Sequence, residues 1–219
     1  MKKFLIILTM LFLVPGLVYA NPWSLDDSIS ITWESSYYSY ITGSGGLARI
    51  TNTTKHETIK TFCIELDETT TYSTLVQDVS NDTALNGGRN TNFGDPLSGS
   101  TKWLYAQYLG GVNYQNIGAL TYAFWFLEDE YYDKAVTPED WKTWFIGQGG
   151  DSALADIAIS YMKDALANSS YTNASILVLD TYDGTNVGQS FLYQVPEPAS
   201  LLFLGLGLFG IGLVSRKKS

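Results

Sequence analysis

Asn116-Ile117-Gly118-Ala119-Leu120-Thr121-Tyr122-Ala123-Phe124-Trp125-Phe126-Leu127 is the stretch on which the reading of this chain turns. Leu120, Ala123, Phe124 and Leu127 recur at the spacing of one helical face, and Trp125 and Phe126 widen the stripe. Asn116 precedes the run, and its side chain suits the free N–H groups of a first helical turn. A helix apolar over so much of its circumference must be covered on several sides, so it belongs at the centre of a core.

Three more helices follow from the neighbouring sequence. On the N-terminal side, Ser100 is expected to cap a helix carrying Trp103, Leu104, Tyr105 and Tyr108, stopped by Gly110-Gly111. Thr137-Pro138-Glu139-Asp140 has a cap, a proline in the first turn and acids near the positive end of the helix dipole. Asp151 to Ala167 repeats Leu154, Ile157, Ala158, Tyr161, Met162 and Leu166 at helical spacing.

Outside this block the pattern is β. Ile29, Ile31 and Trp33 alternate with polar residues and Tyr37, Tyr38 and Tyr40 follow, after which Gly43-Ser44-Gly45-Gly46 is expected to turn the chain. Residues 47–53, 57–66 and 70–79 read as the next strands. Residues 81–100, rich in Asn, Gly, Asp and Thr, read as a long, exposed and mobile loop. Residues 175–182 and 188–195 form a hairpin around Asp183-Gly184-Thr185-Asn186. Strands, helices and strands again predict an α+β domain, an antiparallel sheet or sandwich with a helical insert. About 175 residues between the apolar ends make one ordinary domain, spanning 21–194.

The 219 residues hold 13 bases, 22 acids, one His and one Cys. Five bases and one acid lie in the terminal segments, which leaves residues 21–195 with 8 bases against 21 acids, a net charge of −13. So acidic a surface argues against nucleic acid, whose phosphates need Lys and Arg. One Cys excludes an internal disulfide framework and a Cys-based zinc cluster, and the single His56 argues against a His relay or a poly-His metal site. No cofactor is expected, and no metal site.

The ends carry addresses. Lys2 and Lys3, the apolar run Phe4 to Val14, the break at Pro15-Gly16 and the small residues before the Ala20–Asn21 bond make residues 1–20 a signal peptide, cut by signal peptidase between Ala20 and Asn21. At the other end, residues 195–219 run Val195-Pro196-Glu197-Pro198-Ala199-Ser200, then Leu201 to Val214, then Arg216, Lys217 and Lys218. The apolar run is about 21 Å long as a helix, a marginal single span with its cations held inside. Pro196 and Pro198 keep the preceding segment stiff and extended.

Val-Pro-Glu-Pro, a Gly/Leu-rich run and a basic tail in that order closely resemble the PEP-CTERM sorting signal. The resemblance implies that exosortase, a transpeptidase-like membrane enzyme, cuts near Pro196-Glu197-Pro198 while the chain resides transiently in the inner membrane. It further implies a Gram-negative host that makes extracellular polysaccharide, with the product sent to the cell surface or matrix.

Cys63 lies in Thr61-Phe62-Cys63-Ile64-Glu65, and Thr121-Tyr122-Ala123-Phe124-Trp125 follows about 60 residues later. Together they resemble the paired signatures of thioester-domain proteins, in which a strand Cys faces a helix Gln. Cys63 matches the Cys, and Ala123 and Trp125 match the Ala and Trp, but Thr121 stands at the Gln position and has no carboxamide for the thiol to attack. Gln107 and Gln115 lie outside the motif. Two readings result: a scaffold in which Cys63 is a small buried hydrophobe, and a covalent adhesin using a Cys63 thioester.

Glu128-Asp129-Glu130 with Asp133 offers carboxylate oxygens for a hard cation but lacks calcium-loop spacing, and reads as a solvated helix end. Asp180, Asp183 and Asn186 around Gly184 read as turn chemistry. Glu65, Asp67 and Glu68 are the carboxylates a secreted hydrolase would draw on. Tyr37, Tyr38 and Tyr40, with Trp141 and Trp144, are the candidates for a sugar-stacking platform. The expectation is a non-enzymatic exported protein that associates with exopolysaccharide or matrix proteins.

Overall fold

The frame of the molecule is an antiparallel sheet that curls until its edges meet. The computed structural model describes residues 21, 23–39, 43–66, 73–79, 81–85, 94–131 and 136–196, and Trp23–Gln194 forms one compact unit. Six strands, β1 (Ser28–Ser39), β2 (Gly43–Asn52), β3 (Glu57–Phe62), β4 (Ser73–Asp78), β7 (Ile176–Tyr182) and β8 (Val187–Gln194), are ordered β3-β2-β1-β4-β7-β8. Strands β3 and β8 would be open edges, but Cys63 bridges Phe191, Ile64 N–H donates to Ser190 O at 3.1 Å, and the Thr61 hydroxyl donates to Leu192 O. The sheet is therefore a nearly closed barrel, with its two edge strands joined where β3 ends against β8. Neither a flat sheet nor a two-sheet sandwich describes it.

Curvature has a visible source. Register shifts interrupt β1–β2 between Trp33 and Ser35, β4–β7 between Val76 and Asp78, and β7–β8 between Asp180 and Tyr182. Each places an extra residue on one strand, bending it and tightening the twist. Ile29, Ile31, Ala48, Ile50, Val76, Val178 and Leu179 are all buried.

Three sequence expectations on the sheet are corrected. Gly43-Ser44-Gly45-Gly46 does not turn the chain: Gly46 pairs with Ser36, Gly45 with Tyr37 and Gly43 with Ser39 inside β2. Residues 81–100 are not a free loop at their ends, because β5 (Thr83–Ala84) pairs with β6 (Asp95–Pro96) and both Ala84 and Leu97 are buried. The strand expected over 57–66 ends at Phe62, and the next residues are held by bridges instead.

Four helices lie between β6 and β7: α1 (Gly99–Leu109), α2 (Ile117–Leu127), α3 (Pro138–Gly147) and α4 (Ser152–Leu166). The insert is as the sequence predicts, and α+β describes the domain. The α2 helix is the inner one: Gly118 through Trp125 are all buried, and the helix touches β1, β2, α1 and α4. Asn116 Oδ1 accepts Ala119 N–H at 3.0 Å, the expected cap. In α3, Thr137 and Asp140 form a reciprocal capping box. In α4, Asp151 caps through Leu154 N–H at 2.8 Å. The α1 cap is Ser98, two residues before the expected Ser100, and accepts Thr101 N–H at 3.0 Å. Ser98 takes the role because its own N–H is held by the buried Glu128 carboxylate at 3.2 Å, which starts the helix earlier.

Aromatic rings join the layers. Phe62 of β3 lies 4.9 Å from Phe124 of α2 and 5.0 Å from Tyr108 of α1, centroid to centroid. Tyr122 of α2 meets Phe145 of α3 at 5.0 Å, and Trp141 stacks on Phe145 at 4.8 Å.

Candidate functional site

The candidate residues gather at two places, around Cys63 and at the end of β8. Cys63 follows the last residue of β3 and is fully buried. A Cβ added to Gly45 would lie 2.9 Å from Cys63 Sγ and would overlap the Trp125 ring, so the three residues meet at one point. Gly45 is a glycine because helix α2 approaches the sheet there through its largest side chain. Cys63 and Trp125 therefore converge on Gly45. Thr121, one turn before Trp125, is also buried, and its hydroxyl donates to Ile117 O at 3.0 Å, a bond within its own helix.

Burial pushes the Cys63 thiol up to about 12, against smaller opposing pulls from the Gly46 backbone and the Trp125 side chain. A thiol so placed stays protonated at neutral pH and is a poor nucleophile. The residues just after it are tied down. Gln189 Nε2 donates to Glu65 O at 2.7 Å, and Leu66 N–H donates to Glu130 Oε2 at 2.7 Å.

The acids behave differently from the sequence expectation. Glu128-Asp129-Glu130 is no solvated helix end: Glu128 and Glu130 are buried, and only Asp129 is exposed, with a left-handed φ of 64°. That backbone reversal turns Glu128 toward the α1 N-terminus and Glu130 toward Leu66. Burial raises Glu128 to about 7, opposed by hydrogen bonds from Thr101 and Ser98. Asp180 is also buried, accepting Ser190 Oγ at 2.6 Å and Leu85 N–H at 3.2 Å, and burial raises it to about 6. Asp183 instead performs the expected turn role, accepting from Thr185 N–H at 2.8 Å and Asn186 N–H at 2.6 Å. Among the described residues, no three of His, Cys, Asp and Glu are grouped to hold a metal ion. Glu65 is buried, while Asp67, Glu68 and Asp133 lie outside the described residues.

The sugar-platform expectation fails at Trp141, which is fully buried between Tyr122, Tyr131 and Phe145. Trp144 is half-buried against Tyr131, at 5.3 Å. The side chains of Tyr37, Tyr38 and Tyr40 lie outside what the structure describes.

At the other place, β8 ends at Gln194, Val195 is half-exposed and Pro196 is exposed. Proline has no N–H to continue a ladder, so the strand stops there by chemistry. Glu197, Pro198, Arg216, Lys217, Lys218 and the signal-cleavage residue Ala20 lie outside the described residues, and Asn21 on the far side of that bond is half-exposed. One feature escaped the sequence reading: Trp23 and Tyr193, both buried, meet edge to face at 6.1 Å. The first and last core residues of the domain therefore touch. No spacing rule links residues so far apart in sequence. Among the described residues no helix is long and apolar enough to cross a membrane.

Residues 194–218 match the PEP-CTERM protein-sorting motif. This motif implies an exported protein with a C-terminal membrane-anchoring region that is processed, and exosortase is the processing enzyme. The match starts at the last residue of β8, so the motif follows the folded unit directly in sequence. No curated protein and no solved structure has significant similarity to the chain.

Proposed function

We propose that this chain is a non-enzymatic component of the cell surface or extracellular matrix of a Gram-negative bacterium, delivered by exosortase and associated there with exopolysaccharide or neighbouring matrix proteins. The observation that carries the reading is the sorting motif at 194–218, joined directly to a closed, acidic domain. A net charge of −13 over residues 21–195 supports solubility and hydration in a polysaccharide matrix and disfavours nucleic acid. Signal peptidase removes residues 1–20, and the inner membrane holds the C-terminal segment only until exosortase acts.

The test is to delete residues 197–219 and follow the protein by fractionation. The expected outcome is loss of the surface or matrix pool, with the protein retained unsorted in periplasm or culture fluid. An unchanged distribution overturns the reading.

The covalent adhesin remains the second reading, favoured by the contact between the Cys63 strand and the Trp125 helix. Against it stand Thr121 in place of Gln and a thiol whose titration burial pushes up to about 12. Intact-mass measurement separates the two, because thioester formation expels ammonia, about 17 Da, and consumes the thiol. A full-mass chain whose Cys63 reacts with a thiol reagent only after denaturation supports the scaffold. A secreted carboxylate hydrolase is the third reading, checked by polysaccharide turnover with the purified protein.

A further inference from the structure

We propose that the bulge between β4 and β7 is a binding site for a hard divalent cation of the calcium type, held by Asp180, Asp78 and Gln77. The site is independent of the sorting reading. Asp78 of β4 pairs with Asp180 of β7 and Val76 pairs with Thr181, so Gln77 is one residue too many on its strand. A bulge sets two residues of one strand against one of its partner, which puts Gln77 and Asp78 together opposite Asp180. Like charges directly opposite one another destabilise a strand pair. The negative charge of Asp78 does act on Asp180, and among the described residues no Lys, Arg or His contacts Asp180 to offset it.

Two unfilled oxygens belong to these residues. Both hydrogen bonds that Asp180 accepts, from Ser190 Oγ and Leu85 N–H, go to Oδ1. Asp180 is fully buried, and its Oδ2 has no hydrogen-bond partner among the described residues. The same is true of the buried Gln77 Oε1. A buried acceptor without a partner is costly, and here two of them flank one irregularity in the ladder. A hydrogen-bond donor would satisfy one of these oxygens. A cation satisfies both and also cancels the repulsion between the facing carboxylates. Asp78 is half-buried, so the site is reached from its side, and its Oδ2 accepts Asn81 Nδ2 at 2.7 Å, which steadies the carboxylate.

The donor set selects the ion. Carboxylate and amide oxygens suit Ca²⁺ and lack the nitrogen and sulfur that Zn²⁺ and Cu²⁺ favour. Three protein groups leave part of the Ca²⁺ coordination shell to water, which places the affinity with extracellular calcium modules, at a Kd of about 0.1–1 mM. A net charge of −13 over residues 21–195 draws cations toward the domain. The bound ion would pin β4 to β7 where their ladder breaks. Sequence gives no calcium loop here because the two carboxylates lie about 100 residues apart and only strand pairing joins them.

The test is calorimetric titration of CaCl2 into the chelator-treated full-length protein in detergent, with MgCl2 and NaCl of equal ionic strength as controls. The expected result is saturable binding of one Ca²⁺ with a Kd of about 1 mM or tighter. The melting temperature should rise by about 3 °C at about 10 mM Ca²⁺. Asp180→Asn, which keeps an acceptor for Ser190 and Leu85, should weaken binding about tenfold or more. Gln77→Leu, similar in volume but without the oxygen, should weaken it about threefold. A melting curve establishes that each variant is folded, and should one not fold, the other decides. Absence of saturable Ca²⁺ binding up to about 10 mM overturns the proposal. Parental affinity in either folded variant also overturns it, because the ion would then sit elsewhere on the acidic surface.

Discussion

Asp180 of β7 accepts the hydroxyl of Ser190 of β8 at 2.6 Å, with both residues fully buried. The bond sits beside the register shift in β7–β8, and the same Asp180 oxygen also accepts Leu85 N–H from beyond β5. One carboxylate therefore joins two strands and the segment that crosses them, while its other oxygen, Oδ2, has no hydrogen-bond partner among the described residues. That arrangement suits a protonated acid, and burial raises the group to about 6.

Stability should accordingly fall as the pH rises through weakly acidic values. Asp180 and Glu128 titrate at about 6 and about 7 in the folded chain, against ordinary values of 3.8 and 4.5. A raised carboxyl binds its proton more tightly when folded, so its contribution is complete below its unfolded value and is lost as pH climbs through the folded one. Asp82, held below the usual carboxylate range by Lys102, works the opposite way and weakens the fold only at lower pH. The melting temperature should therefore peak near pH 4–5 and decline toward pH 7. Asp180→Asn keeps an acceptor for Ser190 and Leu85 and should flatten the decline. A melting temperature that rises steadily from pH 4 to pH 7 would contradict this account.

Gly45→Ala tests the contact between helix and barrel. Its new methyl would enter the Trp125 ring and lie 2.9 Å from Cys63 Sγ, in a fully buried place. Overpacking of this kind costs about 1–3 kcal/mol, read as a lower urea midpoint. Trp125→Phe should be destabilising alone through the cavity it leaves. The double variant should lose clearly less than the two single losses together, because the smaller ring makes room for the methyl. Strict additivity would mean the two positions do not share that space.

Asn52→Ala should be among the more damaging polar substitutions. Asn52 is fully buried, donates to Asp27 Oδ2 at 2.8 Å, and accepts Thr54 N–H at 3.0 Å and Lys55 N–H at 2.9 Å. Asp27 Oδ2 also receives Ser24 N–H and Lys55 Nζ, each at 2.8 Å. Removing the amide strands several partners at once, at a loss of about 2 kcal/mol or more. Asn52→Asp would restore the acceptors but set one carboxylate against another, and should be no better. Chemical denaturation measures both, and a loss within 0.5 kcal/mol, the ordinary range for surface changes, would show that water replaces the network freely.

The helices were legible because their signals are local. Asn116, Thr137 and Asp151 each cap the helix they precede, and the apolar stripe of α2 is the buried face it appears to be. Where the reading slipped, a partner distant in sequence overrode the local rule. Ser98 displaced Ser100 because Glu128 holds its N–H, and Gly45 entered a strand because Trp125 needed the room. Trp141 looked like a sugar platform by composition, yet three aromatic neighbours cover it. Glu128 and Glu130 look like a surface run in sequence, and become interior groups because Asp129 reverses the backbone between them.

Caps, turns, alternation and the sorting motif are short-range codes, so the amino-acid order alone was enough for the α+β class, the helical insert and the exosortase address. Closure of the sheet and the meeting of Cys63 with Trp125 depend on chain segments about 60 to 130 residues apart. The buried acids Glu128 and Glu130 are held by Ser98 and Leu66, from outside their own helix. Such pairings are selected by packing and by the pairing of buried polar groups across the whole domain, and no local pattern encodes them.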